Sequence, residues 1–339
     1  MCRFFYKCAI MFAIPTFMLA GAVGGAVPSY GPLAAAGGAD LARLARHRVA
    51  GLVQNYSLIK TVHFVAVSKG HMSVTPQMRR YSKSGVMEKR YEFLGKGKLY
   101  RINFAFAHPN AFASEDFVAA FNGHEYQYMD SLTKALSIDK YRPSRKTMLP
   151  EPLNPMLMPL VFLTRQPVSP KNKPISFREA TGRPRFVLSK AGSLVAKSLD
   201  GHGLLATIAG GSLRGKRLKY HVFFKRSAPV FLPRLIDLVG ASGEQFISYR
   251  FMRYKAFRLH NSKVWLPQIF QTDYHGPHGA LVATEKTVIT YRVLNKSLRP
   301  NAFTINYKLA NAIYDGTHGS LVQMRPGDVA KGKTFPVRH

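Results

Sequence analysis

Residues 81–140 read YSKSGVMEKRYEFLGKGKLYRINFAFAHPNAFASEDFVAAFNGHEYQYMDSLTKALSIDK. Their apolar residues alternate with their neighbours, as Ile102, Phe104 and Phe106 do, instead of recurring every three or four positions. Alternation places successive side chains on opposite faces of a strand, so the pattern predicts β-structure. Asn122-Gly123 suits the positive φ angles of a tight hairpin turn. The segment is therefore predicted to be a meander of long antiparallel strands.

Large apolar side chains occupy both sets of alternating positions in this meander, including Tyr126, Tyr128 and Met129. A sheet with one face in water would not need them, so the sheet either packs against a second layer or curves around something apolar. Further strands are predicted at residues 59–68, 218–225, 232–239, 244–252, 254–259, 264–272 and 281–293. The fold class is mainly β.

The charge of the chain is strongly unbalanced. Its 339 residues include 49 Lys plus Arg and 17 Asp plus Glu, for a formal net charge of +32, and 46% of them are hydrophobic. A chain this apolar is expected to fold, and its charge predicts attraction to polyanions. The alternative explanation is adaptation to an acidic or crowded exterior.

The N-terminus has the order of a secretory signal. Arg3 and Lys7 precede an apolar run that ends in small residues, which predicts a signal peptide over residues 1–26. A retained membrane anchor is the alternative. Both cysteines, Cys2 and Cys8, fall in this segment, so the mature chain would have no disulfide. Export to the periplasm or the exterior argues against a nucleic-acid partner.

Two helical segments are predicted. From Asp40 to Val53 the apolar residues recur at helical spacing, which indicates an amphipathic helix that packs on the sheet or, alternatively, lies on a membrane surface. Asn154 and Pro155 begin a short segment that is apolar on all sides and must be covered on all sides. This second segment suits a lid over a cavity or ordinary core.

No motif for catalysis or metal binding is convincing. Residues 210–216 fit G-x-x-x-x-G-K, but Arg217 stands where a phosphate loop has a hydroxyl and a strand follows, so a hairpin turn is predicted. His275 and His278 lie in a turn without an evident third ligand. No G-x-S-x-G elbow is present. We expect no catalytic residues, no metal, no cofactor and no enzymatic activity.

Two basic segments alternate with aromatic residues, which in a strand separates charge and aromatic rings onto opposite faces. They predict a surface that contacts anionic headgroups or cell-wall polymer, and a solvated outer face is the alternative. The residues are Arg79, Arg80, Arg214, Lys216, Arg217, Lys219, Lys225 and Arg226.

The strand pair YEFLGKGKLYRINF and the following DFVAAFNGHEYQYMDSLTKALSI resemble the core of LolA/LolB-like periplasmic lipoprotein carriers, and of secreted LolA-like proteins of unassigned role. The Pro-rich segment PLNPMLMPLVFL is similar to the short helix that those proteins place over their open side. The resemblance spans roughly residues 52–323. It implies an incomplete, strongly curved antiparallel barrel with short covering helices and an apolar concave face able to hold lipid. The chain is longer and far more basic than a sorting carrier, so lipoprotein shuttling does not carry over.

We therefore expect residues 40–325 to form one half-barrel domain, after a flexible lead at 27–39 and before a basic tail at 326–339. The expected function is non-enzymatic binding of a lipid or an acylated protein near an anionic membrane or cell wall. The alternatives are an envelope structural protein with a filled barrel, or an enzyme that acts on an envelope polymer. The expected cavity residues are Phe93, Tyr100, Ile102, Phe104, Phe121, Tyr126 and Tyr128, with Met156, Leu157, Leu160 and Phe162 as the cover.

Overall fold

The computed structural model describes residues 38–73, 85–97, 99–107, 115–140, 195–199, 203–213, 216–225, 231–259, 262–276, 279–316 and 322–324. Within them the α-helix α1 spans Gly38–Ser57, and 3-10 helices span Pro300–Phe303 and Tyr307–Leu309. The strands in chain order are β1 (Thr61–Met72), β2 (Val86–Lys96), β3 (Leu99–Ala107), β4 (Glu115–Phe121), β5 (Glu125–Asp130), β6 (Ala135–Lys140), β7 (Val195–Leu199), β8 (Gly203–Leu213), β9 (Lys216–Lys225), β10 (Pro233–Gly240), β11 (Gln245–Leu259), β12 (Ser262–His275), β13 (Leu281–Leu294), β14 (Ala312–Asp315) and β15 (Val322–Met324).

These strands form one sheet in the described part of the chain, in the order β15-β14-β6-β5-β4-β3-β2-β1-β13-β12-β11-β10-β9-β8-β7. Two antiparallel meanders, β2–β6 and β7–β13, are joined where β1 pairs with both β2 and β13. Only β14 and β6 run parallel among the described pairs. The sheet is curved and its two edges do not meet, so the predicted incomplete barrel is confirmed.

Most strands occur where the alternation predicts them. Two hairpin turns of the first meander contain Gly97 and Gly123 at φ 58° and 105°, and the second of them confirms the turn predicted at Asn122-Gly123. Asn122 Oδ1 accepts the backbone N–H groups of His124 and Glu125, which fixes the second turn. The two strands predicted at 244–252 and 254–259 are wrong in one respect, because they form the single strand β11. Irregular register at Phe251–Tyr254 is a bulge within that strand, not its end.

We call the face of the sheet that carries the main apolar cluster the inner face. Helix α1 packs against it, which confirms one of the two alternatives predicted for this helix, and its residues Ala45, Val49, Leu52 and Tyr56 are fully buried in that cluster. The helix contacts β7, β8 and β12. Its main contacts are therefore with strands of the second meander.

The opposite, outer face has a smaller apolar cluster over β4–β6 and β14, closed by the chain around the two 3-10 helices. Gln127 is fully buried there. Its Oε1 accepts the Ile305 N–H at 2.7 Å and its Nε2 donates to Tyr307 Oη at 3.1 Å. Burial, reinforced by Glu125, raises the pKa of Tyr307 to about 12, so the hydroxyl stays neutral and keeps its hydrogen bonds at physiological pH. The hydrogen bonds of Gln127 fix the segment around the 3-10 helices to the first meander.

The residues of β12 before Ile269 have no partner on β13 among the described pairs, because the residues of β13 after Val288 pair with β1 instead. The backbone groups left over at this edge are satisfied by side chains. Asn55 of α1 donates to the Trp265 carbonyl and accepts the Trp265 N–H, both at 2.7 Å. Tyr291 Oη donates to the Pro267 carbonyl at 2.7 Å, and proline has no N–H to satisfy. Asn55 thus takes the place of a neighbouring strand and docks the helix.

None of the helices in the described part of the chain has the length and hydropathy of a membrane-spanning segment.

Replacing Asn55 with alanine should lower the free energy of unfolding by about 2–4 kcal/mol, because it leaves the N–H and carbonyl of Trp265 without hydrogen-bond partners at a part-buried edge. Urea unfolding of the purified variant measures this loss. Gln54→Ala, on the exposed side of the same helix turn, is the matched control and should change the free energy by less than about 0.5 kcal/mol. Equal effects of the two substitutions would contradict the role assigned to Asn55.

Candidate functional site

The structure brings all seven predicted strand residues of the cavity onto the inner face. Strand register pairs Phe93 with Ile102, Tyr100 with Phe121, and Phe121 with Tyr126, so they share one side of β2–β5 together with Phe104 and Tyr128. Phe93, Ile102, Phe104, Phe121 and Tyr126 are buried, whereas Tyr100 and Tyr128 are half-buried. The predicted cover residues Met156, Leu157, Leu160 and Phe162 lie outside the described residues.

Aromatic rings contact one another across this part of the inner face. Ring centroids lie 4.9 Å apart for Tyr91 and Phe104, 5.0 Å for Phe104 and Phe117, and 5.4 Å for Phe117 and Tyr128. Contacts of this geometry add about 0.5–1.5 kcal/mol each beyond the area they bury. The result is a continuous aromatic surface that runs from β2 to β5.

A buried ion pair lies on the same face, where β1, β2 and β13 meet. Lys89 Nζ is 2.8 Å from Glu285 Oε2, and both side chains are only 8% exposed. Lys89 also lies over the rings of Phe106 and Tyr274, at 5.3 and 5.5 Å from their centroids. Tyr274 donates a hydrogen bond to Glu285 Oε1 at 2.8 Å. Each charge is thus compensated locally, and the aromatic surface remains neutral overall.

Burial raises the pKa of Tyr91 and Tyr274 well above the ordinary value, and the negative charge of Glu285 adds to the effect. The pKa of Tyr249 is raised for the same two reasons. These phenols therefore stay protonated at physiological pH. They bring no charge to the inner face, and the hydroxyl of Tyr274 donates to Glu285.

Little of the predicted anionic-contact surface can be located. Arg79, Arg80, Arg214 and Arg226 lie outside the described residues, and the side chains of Lys216, Arg217 and Lys225 on β9 do as well, whereas Lys219 is exposed on that strand. A basic region that the sequence analysis did not select lies on β11–β13. Its exposed members are Arg250, Arg253, Lys255, Arg258, Lys263, Lys286 and Arg292. The alternation in RFMRYKAFR has the same basic and aromatic character as the segments that were selected, and could have identified it.

A groove of about 200 Å³ opens beside this region, between the ends of β11 and β13. It is lined by Phe257, Arg258, Leu259, Tyr291, Arg292, Val293, Leu294 and Lys296. The Phe257 and Tyr291 rings meet at 5.1 Å in an edge-on contact. Nothing in the sequence indicated this groove, since it depends on how the β11–β12 hairpin leaves β13.

Among the described residues, no group of three or more His, Cys, Asp or Glu side chains could hold a metal ion. In the turn between β12 and β13, His275 Nδ1 lies 3.1 Å from the Gly279 carbonyl oxygen. The described part of His275-Gly-Pro-His is therefore a polar turn.

No protein-family model and no curated protein matches this sequence. Among solved structures, a DUF1329 family protein from Desulfovibrio piger is 8% identical, with 78% of this chain and 97% of that chain covered and a TM-score of 0.42. A putative outer membrane lipoprotein-sorting protein domain from Vibrio parahaemolyticus is 12% identical, with 79% and 96% covered and a TM-score of 0.39. A LolA superfamily protein from Nitrosomonas europaea is 12% identical, with 76% and 98% covered and a TM-score of 0.36.

The predicted likeness to LolA-like proteins is thus confirmed among the solved structures that this chain is similar to. At these identities and TM-scores the likeness supports no conclusion about function. The function has to follow from the chain's own side chains.

Lys89→Met should lower the free energy of unfolding by about 3–5 kcal/mol, because it leaves the Glu285 carboxylate buried without its cation. The double variant Lys89→Met with Glu285→Gln should recover part of this loss, since no uncompensated charge remains. Denaturant unfolding of these two variants and of Glu285→Gln alone gives the coupling energy.

The exposed pair Lys69 and Glu88, 3.4 Å apart, provides the control for this experiment. Its removal should cost no more than about 1 kcal/mol. A Lys89→Met variant as stable as the wild type would show that the buried pair does not stabilise the sheet.

Proposed function

We propose that this chain is an exported, non-enzymatic protein that binds a lipid or an acylated ligand on the β2–β5 part of its inner face. The observation that carries the proposal is the aromatic surface from Tyr91 to Tyr128, which lies on other strands than β7, β8 and β12, the main contacts of α1, and in which Tyr100 and Tyr128 are half-buried. Partly exposed side chains on a concentrated apolar surface commonly mark a binding site.

The chemistry of this surface suits an acyl chain. Its side chains are aromatic or aliphatic, and the nearby polar groups are already paired, as Lys89 is with Glu285 and Tyr274 is with Glu285. A ligand with many polar groups would find few free partners there, whereas an alkyl chain gains about 25 cal/mol for each Å² of apolar surface it buries.

The proposed setting is the periplasm or the exterior, near an anionic membrane or cell wall. Residues 1–26 support export by their signal-like order, and the net charge of +32 supports attraction to an anionic surface. The exposed cations of β11–β13 are the described side chains best placed to make that contact.

A second candidate function is structural, with a barrel filled by its own side chains. The complete burial of Leu52 and Tyr56 of α1 against the inner face favours it, because this half of the sheet is occupied. The two candidates differ only in whether the β2–β5 half admits a ligand.

Tyr128→Glu should weaken binding of a fluorescent fatty acid by at least about tenfold, because an alkyl chain laid on this site would desolvate the new carboxylate. Fluorescence titration measures the affinity, and circular dichroism checks the fold. Tyr128 is half-exposed, so the variant should stay folded.

The matched control is Val288→Glu, which places the same charge on an exposed position of β13. It should leave the affinity within about twofold of the wild type. A wild-type protein that takes up no fatty acid, or equal losses in both variants, would exclude the lipid-binding function and favour the structural one.

A further inference from the structure

The groove between the ends of β11 and β13 exists because the residues of β12 before Ile269 do not pair with β13. In that part of the β11–β12 hairpin, Phe257 contacts Tyr291, and Tyr291 in turn donates a hydrogen bond to the Pro267 carbonyl. Asn55 holds the same hairpin through Trp265. The groove is therefore held by the docking contacts of the fold, and it does not depend on a loose loop.

Its apolar lining is continuous with the inner face. Tyr291 contacts Phe64 at 6.0 Å between ring centroids, and Phe64 stacks on Phe93 at 5.3 Å. Phe93 pairs with Ile102 in the β2–β3 register. Buried core side chains thus connect the lining of the groove with the aromatic surface of β2–β5.

The charged residues that line the groove are all cations, namely Arg258, Arg292 and Lys296. Arg292 lies 3.8 Å from Glu92, and within the described part of the chain no ion pair forms at Arg258 or Lys296. Two positive charges at an apolar groove attract a negative group whose neighbouring atoms are apolar. A purely apolar ligand would use the lining and leave the cations without a role.

The volume of the groove limits the size of the ligand that it can hold. About 200 Å³ is smaller than the ~300–1,000 Å³ that is usual for sites that enclose a whole drug-sized ligand. The groove has room for a small anionic group with the first carbons of its chain and no room for a complete acyl chain.

We propose that this groove binds the anionic head end of a single-chain amphiphile, such as an alkyl phosphate, together with the first carbons of its chain. The assignment rests on the proposed function for the acyl nature of the ligand, and on the groove alone for its head. It adds a charge preference to the proposed ligand.

Calorimetric titration with hexyl phosphate, decyl phosphate and 1-decanol tests it in the full mature protein. The variant Arg258→Gln with Lys296→Gln should weaken both phosphates by about fivefold for each charge removed, and should leave 1-decanol unchanged. The charge-matched control Arg250→Gln with Lys286→Gln removes two exposed cations outside the groove and should change the phosphate affinities by less than about twofold.

The outcomes separate this inference from the proposed function. Hexyl phosphate that does not bind, or that is weakened equally by the control variant, would overturn the groove assignment. If 1-decanol binds and is weakened by Tyr128→Glu in that case, the lipid-binding face stands without a head site. If hexyl phosphate binding depends on Arg258 and Lys296 while Tyr128→Glu weakens neither decyl phosphate nor 1-decanol, the groove assignment is supported and the lipid-binding role of β2–β5 is wrong.

Discussion

The pairing of β1 with β13 holds the structure together. It runs from the pair Val62–Leu294 to the pair Met72–Ala283, and it joins the first meander to the second through residues that are far apart in the sequence. Gly70 lies in this ladder, where a Cβ would come 2.1 Å from the Thr284 carbonyl oxygen and 2.7 Å from the Glu285 Cα, so only glycine fits. The same close approach brings Glu285 of β13 beside Lys89 of β2. Without this pairing there would be two separate sheets and no shared inner face.

The two halves of the inner face are completed differently. On the second meander, α1 supplies the covering apolar layer, and Asn55 hydrogen bonds to the backbone of Trp265, where β12 does not pair with β13. On the first meander, aromatic side chains of neighbouring strands contact one another across the inner face, and the buried Lys89 and Glu285 neutralise each other. This asymmetry is the physical reason to place a ligand on one half only. It also places the groove at the boundary, where the hairpin of the covered half bends over the end of the sheet.

Local features of the fold could be predicted from the sequence. The alternation over residues 81–140 predicted the first meander, Asn122-Gly123 its turn, and the spacing from Asp40 the helix. Which rings share a face follows from the same period of two, so the seven predicted strand residues do lie together. The resemblance to LolA-like proteins added the unclosed curvature that alternation alone left open.

Features that depend on distant pairing could not be predicted. Nothing local in Lys89 or Glu285 indicates their contact, because it arises from the β1–β13 register. The role of Asn55 depends on where β12 and β13 separate, and the groove of Phe257 and Tyr291 depends on the same separation. The bulge in β11 was interpreted as a strand end, since a shift in register breaks the alternation without breaking the strand.

Native mass spectrometry of the protein, purified from its native source without detergent, tests the central claim most directly. If the β2–β5 half of the inner face holds an acyl chain, part of the protein should carry one additional lipid mass. Tyr128→Glu should remove that mass, and Val288→Glu should retain it. A protein that is entirely free of lipid, and remains so after incubation with excess fatty acid, would contradict the account and leave a sheet filled by its own side chains.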